Sequence, residues 1–197
     1  MTPEQAYNKA MSTRKRTAEL EHIIITDPDY AYCYARDIIK GRWSEAEDVI
    51  GINSRYAYWY AQYVIKGRWL EAEEVIKTNQ YNAYLYAYYV IKARWPEAEE
   101  AIKKDPISGY RYSRDVIKGR WLEAEETIRT CPESAYLYAK DVIKGKLPEN
   151  MHKAMLLFSF EPSPDDYVKI YFDFVKLHGP ASTSASLSDE TPRHRPW

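Results

Sequence analysis

Between Ala57 and Lys66, the small and apolar residues Ala57, Tyr58, Tyr60, Ala61, Val64 and Ile65 share one side of a helix, within an arc of about 160°. Polar and variable residues take the other side. The pattern predicts a short amphipathic helix ended by Gly67 as its left-handed residue, just after a lysine suited to a helix carboxyl end. A second helix is expected from Trp69 or Leu70, because Trp69, Ala72 and Ile76 share a face at i, i+3 and i+7. Pro96 and Pro148 replace Leu70 in two other copies, a residue at home in a first helical turn. Glu71, Glu73 and Glu74 crowd that turn, and Glu73 and Lys77 have the spacing of an i,i+4 pair. A helical hairpin follows.

The hairpin pattern returns every 26 residues, marked by Trp43, Trp69, Trp95 and Trp121, with Leu147 in the next slot. Five units cover 27–52, 53–78, 79–104, 105–130 and 131–156. Ahead of them, Ala6 to Met11 and Ala18 to Ile24 resemble a worn copy one residue short, so residues 1–26 are expected to form a degenerate capping repeat. Helices of roughly 15 Å are too short to stand alone in water. The expected fold is therefore all-α: an α-solenoid of five to six tandem hairpins with a C-terminal capping helix. That helix is placed in 157–179, with Ser163 as cap, Pro164 first, Asp165 and Asp166 in the opening turn and Gly179 as stop. The Ser-, Thr- and Pro-rich residues 180–197 are expected to be disordered.

Tyr58 and Tyr60 recur as Tyr32 and Tyr34, Tyr84 and Tyr86, Tyr110 and Tyr112, and Tyr136 and Tyr138. They flank the buried arc on opposite sides, so one is expected to lean on the preceding unit and the other on the following one. Tyr56, at the helix entrance, is left unassigned. The outer face carries a constant lysine (Lys40, Lys66, Lys92, Lys118, Lys144) and otherwise differs between units. With neighbouring helices roughly 10 Å apart, units two and three would present Trp59, Tyr63, Leu85, Tyr88 and Tyr89 to solvent, beside mixed charge that includes Arg111 and Arg114. An aromatic patch of this kind marks a contact site. The expected ligand of these seven residues is a protein partner.

Composition narrows the alternatives. The formal charge of -1 balances 28 basic against 29 acidic residues, leaving no global field for nucleic acid or an anionic membrane. Cys33 and Cys131 are too few and too far apart for a disulfide framework or a zinc site. No apolar run approaches the roughly 18 residues of a membrane span, and the amino terminus lacks a signal-peptide core, so a cytoplasmic protein is expected. The EAEE clusters recur in several units and read as solvated faces that complement the helix dipole, not as acid–base pairs. Within them, Glu47, Glu73, Glu99 and Glu125 are expected to pair with Arg42, Arg68, Arg94 and Arg120, inside or between units. The alternative is that these arginines and the constant lysines bind phosphate, in a nucleic acid stacked on tyrosines or in a phosphorylated small ligand. Scattered histidines and an isolated Cys33 suggest no catalytic group, and no motif calls for a cofactor or metal.

The repeated phrase YAYxYAxDVIKGRWxEAEEVI, covering Tyr30 to Pro148, resembles short helical-repeat proteins found mainly in bacteriophages and large DNA viruses. The resemblance implies an all-helical array of viral or prophage origin and supplies no catalytic residues. By analogy with small phage proteins, it suggests a host-directed binder of the kind that inhibits defence systems.

Overall fold

The computed structural model of the chain describes residues 1–158 and 166–178, and its regular structure there is helical without a strand. Helices α1 (Pro3–Thr13) and α2 (Ala18–Ile24) open the chain. The first helices of the five units are α3 (Pro28–Tyr34), α5 (Ser54–Trp59), α7 (Gln80–Tyr86), α9 (Pro106–Tyr112) and α11 (Pro132–Tyr138). The second helices are α4 (Glu47–Gly51), α6 (Glu73–Ile76), α8 (Pro96–Ile102), α10 (Leu122–Ile128) and α12 (Glu149–Phe158), and α13 (Tyr167–His178) follows. First helices lie against one another in chain order, α1 on α3 through to α11 on α13, while each second helix touches the first helices before and after it.

The first helices start where side chains take up their free amides. Asp27, Asn53, Asn79 and Asp105 each accept a hydrogen bond from one or two amides of the opening turn, a cap worth about 1 kcal/mol. Helix α5 therefore begins at Ser54, ahead of the Ala57 that hydrophobic periodicity indicates. Cys131 stands in the same place without a side-chain cap, and Pro132 pre-sets the first turn instead.

Their far ends differ from the expected Gly67 stop. Each first helix runs directly into a π-helical turn: Ala35–Ile39, Tyr60–Ile65, Ala87–Ile91, Ser113–Ile117 and Ala139–Ile143. The wider turn moves the closing bonds along by one residue, so that the amides of Lys66 and Gly67 both donate to the Ala61 carbonyl. Lys66 is then the left-handed residue, at φ 59° and ψ 38°. Lys40, Lys92, Lys118 and Lys144 match it at φ 58–59°.

Between the layers lie Tyr34, Tyr60, Tyr86, Tyr112 and Tyr138, all fully buried, with Trp43, Trp69, Trp95 and Trp121. Tyrosine and tryptophan of the same unit sit 5.0–5.1 Å apart between ring centroids, a tilted contact that adds about 1 kcal/mol to the burial itself. Ala72 and Ile76 complete the stripe expected with Trp69. The Glu73–Lys77 pair does not form. Arg68 holds Glu73 through bonds of 2.8 and 2.7 Å, and Lys77 turns to Glu74 at 2.6 Å.

Helix α13 is headed by Asp166, whose side chain accepts the Lys169 amide. Tyr171 accepts the Leu147 amide on its hydroxyl at 3.1 Å, as Tyr138 accepts that of Trp121. Its contact with α11 continues the order of the first helices. Ser163, Pro164, Asp165, Gly179 and the 180–197 tail lie outside the described residues.

Candidate interaction surface

Tyrosine hydroxyls of the first helices reach neighbouring units in two directions, backward from every unit and forward from only some of them. The Tyr60 hydroxyl reaches back, accepting the Trp43 amide at 2.6 Å and donating to Glu47 Oε1 at 3.0 Å. Arg42 of the same unit clasps Glu47 through Nε and Nη2 at 2.8 and 2.7 Å. The arrangement repeats at Tyr86, Tyr112 and Tyr138 with Arg68–Glu73, Arg94–Glu99 and Arg120–Glu125. The ion pairs are thus internal to each unit, and a tyrosine carries them across the boundary. Arg42 holds the Glu47 carboxyl below the usual range, while burial pushes the Tyr60 hydroxyl up.

The other tyrosine reaches forward to an aspartate. Tyr84 donates to Asp115 at 2.6 Å, Tyr110 donates to Asp141, and Tyr7 donates to Asp37 at 2.7 Å. The Tyr84 and Tyr110 acceptors lie 31 residues on. The same step from Tyr32 and Tyr58 lands on Tyr63 and Tyr89, which carry no carboxylate. These two side chains turn outward instead, 50% and 47% exposed. This break in the forward ladder falls in units two and three, where Tyr63 and Tyr89 stand in the place that Asp37, Asp115 and Asp141 hold in the other units.

The seven predicted contact residues divide between separate hollows. Trp59 and Tyr63 line one of about 350 Å³ with Tyr32 and Arg36. Leu85, Tyr89, Arg111 and Arg114 line another of about 450 Å³ with Tyr81 and Tyr110. Tyr88, 39% exposed, faces a third of about 200 Å³ beside Lys92 and Lys118. It stays joined to Tyr89 edge-on, with centroids 4.7 Å apart.

Trp59 and Leu85 are half-buried against the core, not projected into solvent as the helical wheel implies. Trp59 packs on Tyr32 at 5.7 Å and on Tyr56 at 5.8 Å, which also gives Tyr56 its place. Arg111 lies over the Tyr81 ring at 5.3 Å and makes no ion pair among the described residues. Arg114 is held by Asp115 at 2.7 Å.

No family model, curated protein or solved structure matches this chain. Its own repeats are therefore the standard against which the surface is judged. By that standard the two hollows owe their form to Tyr63 and Tyr89, and Tyr32, Arg36 and Tyr81 join the predicted set. The recurring 31-residue step between tyrosine and aspartate is the signal in the sequence that points to them.

Other chemistry is sparse. Cys33 is half-buried, and burial pushes its thiol up to about 11, far from a reactive thiolate. Burial likewise lowers the His152 imidazole, which sits 2.7 Å from the Tyr171 hydroxyl. Among the described residues, no group of three or more His, Cys, Asp or Glu side chains is arranged to hold a metal, and no helix is long and apolar enough to cross a membrane.

Proposed function

We propose that the chain is an α-solenoid of five 26-residue hairpins, preceded by a degenerate repeat over 1–26 and closed by α13, and that it is a non-enzymatic protein-interaction module. The partner binds the outer face of the first helices across the hollows of Tyr63 and Tyr89. One observation carries this reading: at two successive boundaries an aspartate that joins units is replaced by a half-exposed tyrosine. Stability of the stack alone gives no reason for that exchange, whereas contact with a partner does. The likeness of the repeat to phage and viral proteins supports a host protein as the partner, and inhibition of a host defence protein in the bacterial cytoplasm as the outcome.

The test is cross-linking and mass spectrometry from a bacterial host lysate with the wild-type chain, Tyr89→Ala and Arg111→Ala as baits. A partner specific to the wild type, depleted about tenfold or more by each substitution while helical circular dichroism is unchanged, supports the proposal. Equal recovery on all three baits rejects this face.

A second reading rests on Lys40, Lys66, Lys92, Lys118 and Lys144, which are exposed and form no ion pair among the described residues. They could track the phosphates of a single-stranded nucleic acid, with tyrosines stacking on its bases. Affinity for an oligonucleotide would then fall steeply with salt. A flat response removes this reading.

A further inference from the structure

Units one and four contain the same three-part arrangement, complete in one and unfinished in the other. In unit four, Arg114 forks onto Asp115 at 2.7 and 2.8 Å, lies over the Tyr110 ring at 5.1 Å, and donates from Nη1 to the Tyr110 hydroxyl at 2.7 Å. Tyr110 in turn donates to Asp141 of the next unit, whose Oδ2 is 3.9 Å from Arg114 Nη1. In unit one, Arg36 forks onto Asp37 at 2.7 and 2.8 Å, lies over the Tyr32 ring at 5.1 Å, and donates from Nη1 to the Tyr32 hydroxyl at 3.1 Å. There the correspondence stops. The residue in the place of Asp141 is Tyr63, and the Tyr32 hydroxyl proton has no acceptor among the described residues.

Tyr32 is only 2% exposed, so its hydroxyl is a buried donor aimed at a hollow whose rim is Trp59, Tyr63 and Arg36. Leaving such a donor unpaired is unfavourable. We infer that this hollow is a binding site for a carboxylate side chain of a protein partner, which takes the position that Asp141 holds in the complete arrangement, while an aromatic or aliphatic neighbour of that acid packs on Trp59 and Tyr63. The ligand's identity as a protein segment rests on the function proposed above; the carboxylate preference rests on the internal comparison alone.

The charges around the hollow are compatible with an incoming acid. Asp37 is already shared by Arg36 and Tyr7. Asp29 faces the Cys33 thiol at 3.6 Å, and Arg55 adds a second cation 5.8 Å from the Trp59 ring. The other broken boundary does not make an equivalent site. There Gln62 replaces the arginine four residues after the tyrosine, so Tyr58 lacks the guanidinium that Tyr32 and Tyr110 receive from their own helix.

The experiment is an NMR titration of the full chain that follows the Trp59 indole resonance. The probes are a Phe-Glu-Phe peptide blocked at both ends, its Phe-Gln-Phe counterpart, and the Gln peptide with a free terminal carboxylate. Saturable binding of the blocked Glu peptide, at least about tenfold tighter than the blocked Gln peptide, is expected from a charge-assisted hydrogen bond. Tyr63→Asp supplies the acid from within the chain and should abolish binding while raising the melting temperature. Tyr32→Phe should leave the fold intact and erase the preference for Glu over Gln.

Equal binding of the two blocked peptides, or no binding by any probe, overturns the inference. So does undiminished binding to Tyr63→Asp, or to Tyr32→Phe with the preference intact. Tighter binding of the free-acid Gln peptide moves the carboxylate to a chain terminus and overturns the side-chain assignment. Because no cellular partner is used, failure to capture one would not affect this result, and failure here would not exclude a partner at the Tyr89 hollow.

Discussion

Replacing Gly67 by alanine separates two accounts of how the first helices end. If Gly67 held the left-handed turn, a Cβ there would cost roughly 1–2 kcal/mol. In the structure Lys66 holds that turn, the φ of Gly67 lies outside the left-handed range, and a Cβ built on it meets nothing within 4 Å. Alanine should then stabilise the chain by about 0.4–1 kcal/mol, by restricting the unfolded ensemble. For a protein of this size that is a rise in melting temperature of about 1–4 °C. Gly41 and Gly119 are equally open, and the third unit already carries Ala93 in this place. The triple variant should gain about 1–3 kcal/mol if the sites act independently. The assay is guanidinium unfolding followed by circular dichroism at 222 nm, about the wavelength of the helical signal, with thermal melts alongside. A destabilised Gly67→Ala, with a lower denaturant midpoint, would refute the placement of the left-handed residue and of the π-helical turn before it.

Two further outcomes follow from the hydroxyl ladders. Tyr60→Phe leaves the buried Trp43 amide without its acceptor and takes from Glu47 one of its three donors, the two from Arg42 remaining, so it should lower stability by about 1–3 kcal/mol in the same unfolding assay. Tyr32→Phe, which loses only the bond from Arg36, should cost less than about 1 kcal/mol; equal losses would mean that the backward latch is not a main joint of the stack. The Glu47, Glu99 and Asp37 carboxyls are held low, chiefly by Arg42, Arg94 and Arg36. Their unfolded forms therefore bind protons first, and the stability they contribute should be lost as pH falls below about 4. Burial raises Tyr60, Tyr86 and Tyr112, so their contribution is complete below the unfolded value and should be lost as pH climbs past about 10. A denaturant midpoint that rises on acidification below pH of about 4 would contradict the first sign.

The helical character, the 26-residue spacing and the inward tyrosines and tryptophans were legible in the sequence because burial imposes a short period on residue type. Tyr58 and Tyr60 follow directly from that period. The helix starts were equally available, since Asp27-Pro28 and Asp105-Pro106 are cap signals, but hydrophobic periodicity is weak before Ala57 and draws attention away from them. The helix ends were less accessible. Glycine is the usual left-handed residue, and only a turn wider than the ordinary helix transfers that conformation to Lys66. Trp59 shows the limit of the helical wheel: its Cα lies on the outer side, yet a ring this large reaches Tyr32 of the preceding unit. The exchange of Asp37, Asp115 and Asp141 for Tyr63 and Tyr89 is visible in the sequence, but its meaning depends on tyrosines in the preceding units, which only packing brings together.

The backward latch has an evolutionary corollary. Because each boundary uses the same amide, carboxylate and hydroxyl, an in-frame loss of residues 53–78 would set Tyr86 against Trp43 and Glu47 in place of Tyr60. Unequal recombination between copies can therefore lengthen or shorten the gene in steps of 26 codons while each new boundary regains its joint. The forward ladder responds differently to the same event. Loss of 53–104 would bring Asp115 into register with Tyr32 and Arg36, and an acid of the chain itself would fill the site beside Trp59's former place. Copy number would then alter ligand selectivity through register, without a single point mutation.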